Sequence, residues 1–192
     1  MEFDRIVARR RMVRRYRNEP IDRHLIERVV NAGVHAPSAG FSQGQRFVVV
    51  TDAKVRSSIA RAANEDSFAS KGFDPWLSVA PVHIVLCTDP GAYRDRYSEP
   101  DKDGSTNWDV PYWWVDVGAS LMALLYGAVD VGLSAGFLGA HAFEGLHAIV
   151  GVPDDVLIAG VVTLGFGIDD RGSQSVSRGR IAPEEAVRWE HW

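Results

Sequence analysis

A chain of 192 residues, with 21 Lys and Arg against 25 Asp and Glu, carries a formal net charge of −4 and has an ordinary 46% hydrophobic content. That length suits one domain with a core of its own, and no low-complexity tract or internal repeat points elsewhere. The one cysteine, Cys87, excludes an intramolecular disulfide and suits a reducing cytosol, so a cytoplasmic location is expected.

In chain order, residues 2–11 predict a first helix, with Glu2 and Asp4 in its first turn, arginines in its last, and Phe3, Ile6 and Val7 as its apolar face. No apolar h-region follows, so no secretory signal is expected. Asn18-Glu19-Pro20 breaks the helix. Asp22 can N-cap a second one, with Leu25, Ile26, Val29, Val30 and Gly33 as its buried stripe. Residues 37–45 form a loop of turn formers leading into 46–50, a β-branched run read as a buried strand. A helix over 53–64 follows, then a shorter one within 68–78 carrying Trp76. Pro81 opens a second strand over 82–87, in which Cys87 reads as a buried core thiol.

The stretch 93–112 is polar and aromatic, interrupted by Pro100, Gly104 and Pro111, and reads as a lid. Residues 113–131 hold the strongest helical pattern, predicted to be buried nearly all round, with Ala119, Ala123 and Gly127 as a ridge of small residues. Its apolar part, 117–129, is short of the about 20 residues that span a bilayer, so no membrane partner is expected. Gly132 is the expected stop. A short strand or extended turn over 133–139, a helix over 143–150, a long apolar strand over 156–166 and a polar tail over 167–192 complete the chain. Strands and helices do not alternate strictly, so the expected fold class is α+β, as one domain over 1–192.

Six of the twelve residues from 9 to 20 are arginine. Like charges that close together need an anion or ion-pair partners, the alternative being a solvated helix face. Arg178-Gly179-Arg180 is a second basic element. No GxSxG, GxxxxGK[ST], HExxH or paired CxxC occurs, and Gly132-Leu133-Ser134-Ala135-Gly136 follows a helix, so it is no dinucleotide fingerprint. His24 and His35 suit surface positions, and His141 and His147 lack a nearby nucleophile, so neither a metal site nor a hydrolase triad is expected. Phosphate recognition remains. Arg10 and Arg14, four apart, would share a helix face, and Arg178 and Arg180, two apart, one side of an extended tail. Arg9, Arg15 and Arg17 read as solvent or ion-pair residues. The net acidity and the lack of a broad basic stripe argue against nucleic acid.

Five motifs stand in order: Arg10-Arg11-Met12-Val13-Arg14-Arg15-Tyr16; Ala36-Pro37-Ser38-Ala39-Gly40-Phe41-Ser42-Gln43; Asp116-Val117-Gly118-Ala119 with Val131-Gly132-Leu133; Leu164-Gly165-Phe166-Gly167; and Arg178-Gly179-Arg180 with the stretch 184–189. Together they resemble the FMN-dependent nitroreductase family over essentially the whole chain. The resemblance implies a nitroreductase-like fold, a central mainly antiparallel sheet flanked by helices, in an intertwined homodimer with FMN sandwiched at the subunit interface. It implies that Arg10, Arg14, Arg178 and Arg180 bind the phosphate and ribityl end, with Arg11 beside them and Met12 contributing its backbone. The tail over 167–192 would reach the phosphate or the partner subunit. Pro37 and Ser38 would lie against the isoalloxazine ring with Gln43 nearby, and the backbone of Leu138 and Gly139 would meet flavin N5. No acid or base side chain is then required.

The implied activity is that of an FMN-dependent NAD(P)H oxidoreductase. It would pass hydride from a reduced nicotinamide, or a deazaflavin, to a planar acceptor such as a nitroaromatic or quinone by a ping-pong route. Phe41, Gly44 and Gln45 stand where the family has Asn, Pro and Trp. Phe41 with the cluster Trp108, Tyr112, Trp113 and Trp114 would line the acceptor pocket, plain core or dimer packing being the alternative for the cluster. Two other functions stay open, a flavin carrier without turnover and a flavin-fragmenting enzyme like dimethylbenzimidazole synthase.

Overall fold

The run Val82–Thr88 is buried at every position, the pattern of a strand covered on both faces. It forms β2 at the centre of the computed structural model, which describes residues 1–102, 104, 108–169 and 174–192. With β1 (Gln45–Val50), β3 (Ser134–Gly139) and β4 (Leu157–Gly165) it makes a four-stranded sheet in the order β1-β2-β4-β3, antiparallel throughout. Alternation along the strands sorts the side chains. Val82, Ile84, Leu86, Val162 and Leu164 face Val29 of α2 (Arg23–Val34) and Leu124 and Leu125 of α6 (Tyr112–Asp130). Val85, Cys87 and Val161 face Ile59 of α3 (Ala53–Ala62) and Leu146 of α7 (Leu146–Val150). The expected α+β class, a mainly antiparallel sheet between helices, is what the chain adopts.

The two central helices touch closely because small residues let them. A Cβ on Gly33 would lie 2.9 Å from Leu124, and one on Gly127 would lie 3.1 Å from Cβ of Ala32. Gly127, one of the small residues of the predicted ridge, is thus used within the chain, where α2 approaches it. Burial of α6 is also one-sided: Asp116, Val117, Ser120, Leu124, Leu125 and Ala128 are buried, whereas Tyr112, Trp114 and Val115 are exposed. The expectation of burial all round is corrected, because the sheet and α2 cover only one face.

Other boundaries moved for identifiable reasons. Helix α1 (Phe3–Arg9) ends at Arg9 rather than 11, because the chain beyond it turns extended and pairs with β3. Strand β1 is an edge strand with Val49 exposed, not a buried one. The short helix within 68–78 is instead α4 (Glu65–Ala69), and Trp76 falls in the turns after it. Those turns are held by Glu65, whose carboxylate accepts from the backbone N–H of Trp76 at 2.7 Å, Leu77 at 2.6 Å and Ser78 at 3.1 Å. The stretch 93–112 is not structureless: α5 (Pro90–Tyr97), N-capped by Asp89, occupies its start, and residues 103 and 105–107 lie outside those described. In the tail, α8 (Pro183–Ala186) follows a 3-10 turn over Gln174–Arg178, so Arg178 is not in an extended segment; residues 170–173 lie outside those described.

His83 sits on β2 with no exposed surface, its Nε2 donating to the Leu77 carbonyl at 2.7 Å. Its Nδ1 has no hydrogen-bond partner among the described residues. Burial pulls this imidazole down to about 4 from 6.5. A folded pKa below the unfolded one contributes stability that is complete above pH 6.5 and is lost as pH falls towards 4, about 3 kcal/mol in all. Thermal melts across that window should show the fall, and a His83→Gln variant should show less of it; identical pH profiles would contradict the assignment.

Candidate functional site

The arginine-rich segment lies along the outer edge of β3. Val13 N–H donates to the Ala135 carbonyl at 2.9 Å, Met12 bridges Ala135 in parallel, and Tyr16 bridges Gly167 antiparallel. This approach requires a glycine at 136. A Cβ there would lie 2.5 Å from the Val13 carbonyl oxygen and 2.9 Å from the Trp76 ring. Tyr16 locks the segment from inside, its hydroxyl donating to the Val13 carbonyl at 2.6 Å and meeting Thr163 Oγ1 at 2.8 Å.

Docked in this way, the arginines separate by partner. Arg15 pairs with Asp74 at 3.2 Å and donates to the Asp169 carbonyl; Arg17 pairs with Glu19 at 3.1 Å and lies over Phe166. Among the described residues Arg9 approaches the Met1 sulfur, and Arg14 lies over the Trp76 ring, 5.4 Å from its centroid. The guanidinium groups of Arg10 and Arg11 have no hydrogen bond or ion pair among the described residues. Because the segment is extended, the helix face expected for Arg10 and Arg14 does not exist. A spacing of four also puts two residues on one side of an extended chain. Further along β3, Leu138 packs against Ala60, Ala63 and Leu77, and the strand's outer edge beyond Ala135 has no strand partner among the described residues.

A second group forms around the loop before β1. Gly40, Phe41 and Gln43 have φ of +62°, +59° and +51°, and the Phe41 side chain is 73% exposed. Left-handed backbone suits glycine; for a bulky residue it costs about 1–3 kcal/mol. Ser38 Oγ accepts from Gln43 N–H at 2.9 Å, and Gln45 donates to the Pro37 carbonyl at 3.2 Å. Asp116 Oδ2 accepts from Ala39 N–H and from the Tyr93 hydroxyl, both at 2.8 Å. Burial, followed by that bond to Asp116, pushes the Tyr93 phenol well above its ordinary range. Arg96 Nε donates to the Gly40 carbonyl at 2.8 Å, and the Tyr97 ring closes on Gly40. Beyond them, Trp108 meets Tyr97, Tyr112 and Trp113 edge to face at 4.8, 6.3 and 6.1 Å, and Tyr93 meets Trp113 at 6.1 Å. The structure thus links the loop that carries Pro37, Ser38, Phe41 and Gln43 to Trp108, Tyr112 and Trp113 through Tyr97 and Asp116.

It does not bring the two groups together within one chain. Gln45 pairs with Thr88 and Thr88 with Leu157, placing the loop at one end of the sheet on its β1 edge. Ala135 pairs with Leu164 and Leu164 with Val82, placing Met12 and Arg14 at the other end on the β3 edge. Leu138 and Gly139 share that second edge. The described tail from Val176 to Trp192 is exposed, and no hydrogen bond or ion pair among the described residues joins Arg178 or Arg180 to Arg10 or Arg14. Sequence reasoning did not single out Trp76, Tyr93 or Asp116 as site residues. Only Asp116 carried a signal, a carboxylate at the start of the most apolar segment.

Similarity to known proteins adds an independent line. The pattern of the nitroreductase family matches residues 7–166. A candidate NADH dehydrogenase/NAD(P)H nitroreductase of Archaeoglobus fulgidus is 26% identical over 171 residues, 87% of this chain and 86% of that protein. An FMN reductase [NAD(P)H] of Bacillus subtilis is 25% identical over 132 residues, 69% of this chain and 46% of that one. Among solved structures, the NADPH:FMN oxidoreductase of Vibrio harveyi complexed with NAD+ superposes with a TM-score of 0.76 at 19% identity, covering 98% of this chain and 77% of that chain.

The docking of the arginine segment has a direct test. Gly136→Ala places a methyl group against the Val13 carbonyl and should cost about 1–3 kcal/mol in denaturant unfolding. Unfolding like that of the wild type would contradict the pairing.

Proposed function

Because the chain belongs to the nitroreductase family, we propose that it is an FMN-dependent oxidoreductase that takes hydride from NADH or NADPH and reduces a planar aromatic acceptor. The observation that carries this reading is the pair of guanidinium groups, Arg10 and Arg11, that have no hydrogen bond or ion pair among the described residues, on the β3 edge. Guanidinium groups such as Arg10 and Arg11, with no acidic partner among the described residues, suit a phosphate, which each fork can bind through two charge-assisted hydrogen bonds. Arg10 and Arg14 would hold the phosphate and ribityl end, Arg11 and the Met12 backbone would lie beside them, and the open edge at Leu138 and Gly139 would offer backbone N–H groups to the ring. These residues fit FMN. The chemistry supplied by bound FMN is hydride acceptance from a reduced nicotinamide and its delivery to a nitroaromatic or quinone in two half-reactions.

The ring-side residues Pro37, Ser38 and Gln43 would come from a second copy of the chain, since one copy holds them at the opposite corner of the sheet. Phe41, Trp108, Tyr112 and Trp113 would then line the acceptor pocket of a homodimer. The exposed α6 residues Trp114 and Val115 and the apolar tail residues Ile181, Trp189 and Trp192 support such an interface, with Arg178 and Arg180 reaching the partner's side of the site. The names of the Bacillus subtilis and Vibrio harveyi proteins support FMN and a nicotinamide donor.

Reconstituted with FMN and mixed anaerobically with NADH or NADPH, the protein should lose its visible flavin absorbance and regain it on addition of a quinone. Flavin that neither donor bleaches would contradict turnover and leave a carrier. Arg10→Ala should weaken FMN binding roughly ten- to hundredfold by equilibrium dialysis; unchanged affinity would remove Arg10 from the site.

A further inference from the structure

Asp116 is a buried carboxylate, 7% exposed, whose Oδ2 is held by two donors from different elements, the Ala39 backbone and the Tyr93 hydroxyl of α5. A carboxylate withdrawn from water and satisfied by fixed hydrogen-bond donors fixes the geometry of those donors in return. One turn further along α5, Arg96 grips the Gly40 carbonyl and Tyr97 packs on Gly40. The loop is therefore held from α5 and α6 at Ala39 and Gly40, immediately before Phe41.

Phe41 obtains no packing return for its left-handed backbone, since its side chain is mostly in solvent. A costly conformation persists only where the surroundings impose it, and such positions concentrate at ligand sites. An exposed aromatic ring imposed in this way is presented for contact with another flat group, which it can meet by offset stacking.

We propose that Asp116 is a positioning residue: through Ala39 N–H and the Tyr93 hydroxyl it sets the loop that presents Phe41 as the stacking face for a planar aromatic acceptor. The inference rests on the reading that this chain reduces such acceptors at bound FMN. Asp116 and Tyr93 thereby govern acceptor recognition without touching the acceptor.

The test combines stability of the flavin-free protein with steady-state kinetics on a quinone. Phe41→Gly should raise Tm by about 2–4 °C as the left-handed strain is released, and this gain should vanish in an Asp116→Asn background, where the brace is gone. In kinetics, Phe41→Gly should raise KM for the quinone about two- to tenfold while kcat changes less. Phe41→Tyr, which keeps the ring, should retain the wild-type KM. Asp116→Asn and Tyr93→Phe should raise KM in the same direction as Phe41→Gly. A KM unmoved by Phe41→Gly, or Asp116→Asn lowering Tm without moving KM, would overturn the proposal. If the wild type is not reduced by NADH or NADPH, the functional reading fails instead. The melts of the flavin-free variants then still decide the brace, which is overturned if the Phe41→Gly gain is absent or additive with Asp116→Asn.

Discussion

The hydrogen bond from Val13 to Ala135 joins residues more than a hundred positions apart, and the candidate site depends on it. Without that edge pairing, the arginine run would continue the periodicity of α1 and crowd its charges onto a helix. Drawn out along β3, the run places Arg15 and Arg17 beside their own partners and leaves Arg10 and Arg11 without any among the described residues. Gly136 makes the approach sterically feasible, and Tyr16 anchors it to Thr163 in the sheet. The exposed ion pairs contribute little, typically under about 1 kcal/mol each. Backbone pairing and the buried Tyr16 therefore hold the segment more firmly than charge does.

The antiparallel register then imposes a geometric constraint. Four strands with two open edges carry the arginine segment at one corner and the loop of Pro37 to Gln43 at the diagonal corner. Each corner is braced by its own buried carboxylate. Glu65 fixes the turns that carry Trp76 under Arg14, and Asp116 fixes the loop that carries Phe41. Two prepared half-sites that one chain cannot join are the physical argument for assembly around the cofactor.

Much of the fold was legible in the sequence because its signals are local. The continuous apolar runs of β2 and β4 and the long pattern of α6 appear within about two residues of their predicted ends, and Gly132 takes the left-handed stop expected of it, with φ +81°. What was not legible depends on distant partners. Helical periodicity in 2–11 gave no hint that β3 would capture the chain beyond Arg9. The ridge on α6 could not reveal that Gly127 meets Ala32 of the same chain, nor could the β-branched run of β1 show that its outer edge has no strand partner among the described residues. At the site, Arg15 and Arg17, read as solvent or ion-pair residues, pair with Asp74 and Glu19. The separation of the two half-sites is a property of register and could not be seen without it.

The most direct measurement is analytical ultracentrifugation of the FMN-loaded protein, with absorbance followed at a flavin wavelength over a dilution series. If the two half-sites come from different chains, flavin should sediment only with a two-chain species, one FMN per chain, and dissociate as dilution splits that species. Flavin sedimenting stoichiometrically with a single chain would contradict it.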